Sequence, residues 1–277
     1  MPICDAQVHI WAAPTPARPW PADGPARAHR PTPLTAAELL AAMDRAGVDR
    51  AVLVPPSWEG DYNDVVLQAA SGHPDRFAVM GRFDIAAPNP AERLAAWRAT
   101  PGVLGCRVTF LSDDHRALLA SGAVEPFWAA AEALDVPLML LPPDQIPAIQ
   151  AVAERHPRLR IVIDHLAMTS SRKDRAAFDT VAQILPLARC PNVAVKASAL
   201  PCYTTEAYPF PGIRDDIEAV FDAFGPDRMF WGTDLSRLPC SYEQAIAHFT
   251  ETLPFLDAAA KARVMGDGLC DWLGWAR

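Results

Sequence analysis

Three stretches of the chain carry residue types that could work on a carbonyl group: Gln7-Val8-His9 in DAQVHIW, Asp164-His165 in IVIDHLAM, and Asp234 in RMFWGTDLS. A carboxylate can take a proton from water as it attacks a carbonyl carbon, and an imidazole can polarise the carbonyl oxygen or ligate a metal ion. Asp234, His9 and His165 are therefore the expected catalytic residues, with Asp164 expected to face away as a structural partner. Arg82, Arg107 and Lys196 add cations suited to gripping a substrate carboxylate or a developing oxyanion. The competing reading for Arg107 and Lys196 is an internal ion pair with Asp84 or Asp5, and Arg82 carries the same ambiguity.

These residues need a scaffold that brings distant segments to one place. Eight short apolar runs recur along the chain: Ile3–Ile10, Arg50–Val54, Phe77–Phe83, Val103–Phe110, Val136–Leu141, Leu159–His165, Val193–Ser198 and Met229–Asp234. Between them lie helix-compatible segments: Thr35–Ala46, Asn63–Ser71, Ala91–Arg98, Glu125–Leu134, Ile146–Arg155, Arg175–Arg189 and Ile213–Phe224. Eight strands joined by seven helical crossovers in 277 residues predict a single-domain (β/α)8 barrel (TIM barrel) spanning 1–277. Thr35 three residues ahead of Glu38 reads as a capping box, and Gly47 as a left-handed exit residue.

Polar residues at the carboxyl ends of barrel strands point into the active site. His9, His165 and Asp234 fall there, and Gln7 and His9, two residues apart, share one face. The fifth run ends in Leu140, Leu141 and Pro142, with no ligand-type side chain. After the first strand, Pro14, Pro16, Pro19, Pro21, Pro25, Pro31 and Pro33 crowd a loop (12–33) that also holds Trp20, His29 and Arg30. That density of proline forbids regular helix and predicts a stiffened loop over the catalytic face. Tyr203, Tyr208, Trp58 and Trp20 are expected pocket walls, while Leu200-Pro201-Cys202 and Leu238-Pro239-Cys240 place two thiols on neighbouring loops.

A formal charge of −8 without basic blocks argues against nucleic acid and anionic membrane and for a small-molecule substrate. The amino terminus lacks a basic n-region, no apolar run reaches membrane-spanning length, and the six cysteines are expected as thiols, so the expected setting is cytoplasmic. A homodimer is the assembly expected from general frequencies.

DAQVHIW, IVIDHLAM, NVAVKASAL and RMFWGTDLS, in that order at strand ends, resemble the second amidohydrolase family of metal-dependent hydrolases, which includes lactonases and decarboxylases. The resemblance covers essentially the whole chain. It implies a hydrolase acting on a small carboxylated lactone or related carbonyl compound, with Gln7, Arg82, Arg107, Lys196, Trp58 and Tyr203 around the substrate. A non-oxidative decarboxylase and a barrel that binds without catalysis are the rivals. The family pattern at strand one is His-x-His, and Gln7 replaces its first histidine. His9, His165 and Asp234 remain as three donors for one divalent ion, zinc or manganese; the lactonase branch of the family works without metal. The cofactor expectation is therefore one divalent ion or none.

Overall fold

The computed structural model describes residues 1–276, and each of the eight apolar runs forms a strand. They are β1 (Cys4–Val8), β2 (Arg50–Leu53), β3 (Phe77–Arg82), β4 (Val103–Thr109), β5 (Leu138–Leu141), β6 (Ile161–Ile163), β7 (Val193–Ser198) and β8 (Met229–Gly232). They lie side by side in chain order and neighbours run parallel. The last strand returns beside the first, where the Asp234 amide donates to the Gln7 carbonyl at 2.9 Å. The fold is a (β/α)8 barrel.

Strands covered on both faces read as nearly continuous apolar runs. Ala6, Val52, Met80, Met139, Val162, Ala194 and Phe230 point inward and fill the lower barrel. A larger apolar layer, including Val8, Leu53, Val79, Val108, Leu140, Ile163, Val195 and Met229, lies between the sheet and the helices. Polar residues are left to the upper interior, which is where the site forms.

The capping box at Thr35 and Glu38 is present in both directions, and Gly47 exits at φ 72°. Three local expectations are corrected. Arg175–Arg189 is not one helix but short pieces, Arg175–Phe178, Thr180–Ile184 and a tight turn Leu185–Arg189 entered at Pro186. A helix at Asp113–Ser121, capped by the Ser112 hydroxyl, follows β4 where the apolar pattern gave no signal. The Pro-rich segment also contains a helical turn, Gly24–Arg27. It forms because Pro25 sits in the first turn, where a missing N–H costs no internal hydrogen bond.

That segment is fastened to the barrel rather than loose. Arg18 pairs with Glu59 and Asp64, each at 2.9 Å, and the Ala12 amide donates to Glu59 Oε1 at 2.7 Å. Gly24 lies so close to the Trp58 carbonyl that a Cβ there would stand 2.4 Å from its oxygen.

Candidate active site

The carboxyl ends of β1, β6 and β8 bring His9, His165 and Asp234 together, all buried. His9 Nε2 is 3.2 Å from Asp234 Oδ1, and His165 Nε2 is 3.9 Å from Asp234 Oδ2. The turns that present them are tight. Asp234 has φ 53°, and His165, Leu166 and Ala167 have φ 52°, 52° and 59°. Left-handed backbone costs about 1–2 kcal/mol per non-glycine residue, and such residues cluster at functional sites.

Each imidazole is fixed by its second nitrogen. His9 Nδ1 donates to the Val54 carbonyl at 2.5 Å, which leaves the Nε2 lone pair facing the site. His165 Nδ1 is 2.8 Å from Ser198 Oγ. Burial lowers the pKa of both rings, His165 to about 3, against the opposing pull of Asp234. They are neutral at pH 7. Burial works to raise the Asp234 carboxyl, but the Arg237 guanidinium above all outweighs it and holds the group well below the usual carboxylate range. Arg237 Nε donates to Asp234 Oδ2 at 2.6 Å, whereas Asp234 Oδ1 is buried with no hydrogen-bond donor among the described residues.

Beneath this lies a second polar layer. Lys196, fully enclosed, reaches Asp164 Oδ1 at 2.6 Å, Gln7 Oε1 at 2.5 Å and Met139 Sδ at 3.2 Å. Arg107 Nε donates to Asp164 Oδ2 at 3.0 Å. Burial works to raise Asp164, but Lys196 and Arg107 hold it below the ordinary range. The internal ion-pair reading of Arg107 and Lys196 thus describes the structure, with Asp164 as partner instead of Asp84 or Asp5. Asp164 does not face away; it neutralises two cations inside the barrel. Gln7 turns its carbonyl to Lys196 and its amide nitrogen to His9 Nε2, 3.4 Å away.

A cavity of about 440 Å³ opens above. His9, His165, Asp234, Arg107, Trp58 and Tyr203 line it, as do Arg27, His29 and Arg237, which the strand-end reading did not include. Arg237 has a readable signal in hindsight, three residues after Asp234 in the same turn; His29 and Arg27 come from the Pro-rich segment, whose path no local pattern reveals. Tyr203 donates nothing to Asp234 but accepts from Arg237 Nη2 at 2.6 Å. Lys196 and Gln7 lie below the cavity. Arg82 borders a different hollow with Asp61, Asn63 and Trp97, and its Nε donates to Asp61 at 2.8 Å. Cys202 and Cys240 are free thiols, pushed by burial to about 12 and 11.

The donors do not fit a divalent ion. Among the described residues no three or more His, Cys, Asp or Glu side chains form a group that could hold one. Physically, Arg237 already takes the charge of Asp234, Gln7 offers His9 an N–H instead of a third ligand, and Lys196, Arg107 and Arg237 make the surroundings cationic.

An eight-stranded β/α barrel with an ionised carboxylate and neutral imidazoles at its mouth is the architecture of a barrel enzyme. The sequence matches the amidohydrolase family over residues 4–267, and the chain belongs to that family. It is 33% identical over 279 residues to an L-fucono-1,5-lactonase of Burkholderia ambifaria, covering 96% of this chain and 93% of that one. Among solved structures it resembles an amidohydrolase from Burkholderia multivorans with bound zinc, at TM-score 0.82, 24% identity and 99% coverage of both chains. It also resembles a probable 2-pyrone-4,6-dicarboxylic acid hydrolase from Acinetobacter baumannii with citric acid bound, at TM-score 0.76, 19% identity, covering 99% of this chain and 100% of that one. No helix among the described residues is long and apolar enough to cross a membrane.

Proposed function

We propose that this chain hydrolyses a small lactone, by attack of water assisted by Asp234. The observation that carries this reading is Asp234 Oδ1, an ionised carboxylate oxygen buried at the cavity without a donor. Water donates to it, the water oxygen bonds the carbonyl carbon, and the proton passes to Asp234. The ring C–O bond then breaks and the ring oxygen takes that proton. A depressed carboxyl pKa makes the first transfer harder and the return easier, so stabilisation of the oxyanion is what the site must supply. Arg107 supports that role: it spends Nε on Asp164, and its terminal nitrogens make no other hydrogen bond among the described residues. His9 and His165, neutral and oriented, flank the reacting oxygen atoms.

The lactonase relatives point to a polyhydroxylated ring, and Arg27 and Arg107 at the cavity would also serve a carboxylated one. Trp58 offers an apolar wall in either case. A cytoplasmic setting is consistent with thiols such as Cys202 and Cys240 that form no disulfide. The reading is tested with L-fucono-1,5-lactone, other sugar lactones and 2-pyrone-4,6-dicarboxylate, following acid release with a pH indicator before and after chelation. Turnover insensitive to chelation is expected. Carbon dioxide release from a carboxylated substrate would establish a decarboxylase instead, and inactivity across the panel would sink the lactonase reading.

A further inference from the structure

His29 belongs to no strand end, yet the Pro-rich segment carries it over Asp234. Its Nδ1 lies 4.0 Å from Asp234 Oδ1 and 2.8 Å from Ser236 Oγ, in the same turn as Asp234. The ring packs 4.3 Å from Trp58 and 5.6 Å from His9, and it borders the catalytic cavity. A gap of 4.0 Å is too long for a hydrogen bond but suits one oxygen atom about 2.8 Å from each side. Asp234 Oδ1, enclosed and without a donor, calls for such an oxygen.

We propose that His29 is a catalytic residue, holding with Asp234 Oδ1 the water molecule that attacks the substrate carbonyl. This rests on the lactone reading above and adds where the nucleophile sits. The water donates one hydrogen to Asp234 Oδ1, and its oxygen shares the His29 Nδ1–H with Ser236 Oγ in a three-centre hydrogen bond. As its oxygen bonds the carbonyl carbon, the first proton moves to Asp234 and then to the ring oxygen, whose bond to carbon breaks. The second proton stays on the new carboxylic acid, which ionises to solvent. The Pro-rich segment thus supplies one side of the water site, and the fastening at Arg18 lies apart from the residues that touch the water, with the Ala12–Glu59 hydrogen bond and the Gly24–Trp58 contact holding the segment without it.

The test compares His29→Ala, His29→Asn and Arg18→Gln, with L-fucono-1,5-lactone as probe and thermal unfolding alongside. His29→Ala is expected to lose about a hundredfold in kcat with KM little changed, the scale of a lost acid-base or positioning partner. Asn, whose amide can reach the same water, recovers part of that loss. Arg18→Gln, which loosens the segment but leaves the imidazole, stays within about threefold of the parent kcat. An unchanged kcat in His29→Ala overturns the proposal, as does an Arg18→Gln loss equal to that of His29→Ala, since His29 would then be fastening only. Should the alanine variant fail to fold, His29→Gln carries the same readout. Inactivity of the parent on every lactone defeats the lactone reading itself; an active parent with an indifferent His29 defeats only this inference.

Discussion

Asp5 on β1 and Asp234 after β8 are both enclosed carboxylates on neighbouring strands, and their surroundings differ in kind. Asp5 accepts from the Gln7 and Thr233 amides at 3.1 and 2.9 Å, from the Tyr242 hydroxyl at 2.8 Å and from the Thr233 hydroxyl. Among the described residues no cation pairs with it. Burial pushes it up to about 6, with the hydrogen bonds from Thr233, Gln7 and Tyr242 resisting. Asp234 has one oxygen held by Arg237 and the other without a donor, in a field that keeps it ionised. A carboxylate saturated with neutral donors ties strands together. One kept ionised by charge, with an oxygen to spare, is open to a further donor, as the proposed proton transfer requires.

The sharpest way to break this comparison is to neutralise each aspartate. Asp234→Asn is expected to lower kcat by about a thousandfold, and to lower the unfolding temperature as well, because Arg237 loses its charged partner. A variant keeping a tenth of the parent rate would remove Asp234 from the proton-transfer role. Asp5→Asn should instead show its effect in stability against pH. The folded-state pKa of Asp5 is raised to about 6 from 3.8, so the folded chain binds more protons between those values. Its contribution to stability is therefore full below the lower value and declines as pH rises through about 6, by about 3 kcal/mol. Asp234 and Asp164, held low, contribute in the opposite sense, losing stability as pH falls below the unfolded carboxylate value. Urea unfolding of the parent at pH 4.5 and 6.5 should show the Asp5 decline, and the asparagine variant should lack it. The same slope in both proteins would contradict a buried, uncompensated charge at Asp5.

The fold was legible because eight apolar runs separated by amphipathic stretches leave few other arrangements, and strand ends then locate His9, His165 and Asp234. Short-range signals with a stated hydrogen bond, such as Thr35 with Glu38, were equally readable. Partnerships across the barrel were not. That Lys196 meets Asp164 and Gln7 depends on the closure and stagger of β1, β6 and β7, which no local spacing encodes. His29 was hidden for a related reason. Its place over Asp234 follows from Arg18, Glu59 and Gly24 docking a proline-stiffened path onto the turn at Trp58.

A finer form of the comparison sets two arginines side by side. Arg82 and Arg107 stand in register on β3 and β4, yet Arg107 borders the cavity at His9, His165 and Asp234 and Arg82 a neighbouring hollow. Charge-assisted hydrogen bonds are worth about 1.5–3 kcal/mol, which is roughly 10- to 150-fold in affinity. Arg107→Ala should therefore raise KM by about that range on any lactone the chain turns over. It also leaves Asp164 with Lys196 alone, so circular dichroism and thermal unfolding must accompany the kinetics.

Arg82→Ala is the smallest expected change and the strictest test of the boundary between the two hollows. Its guanidinium is committed to Asp61 at 2.8 Å, and its backbone exchanges hydrogen bonds with the Asn63 side chain at 2.8 and 3.0 Å. The backbone bonds survive truncation, so β3 should keep its register. Removing a side chain that lines a different hollow should leave KM within about twofold. A rise comparable to that of Arg107→Ala would mean that the substrate extends past Arg107 into the hollow at Asp61. The two arginines would then act as a pair on one anionic group, the arrangement their shared register permits.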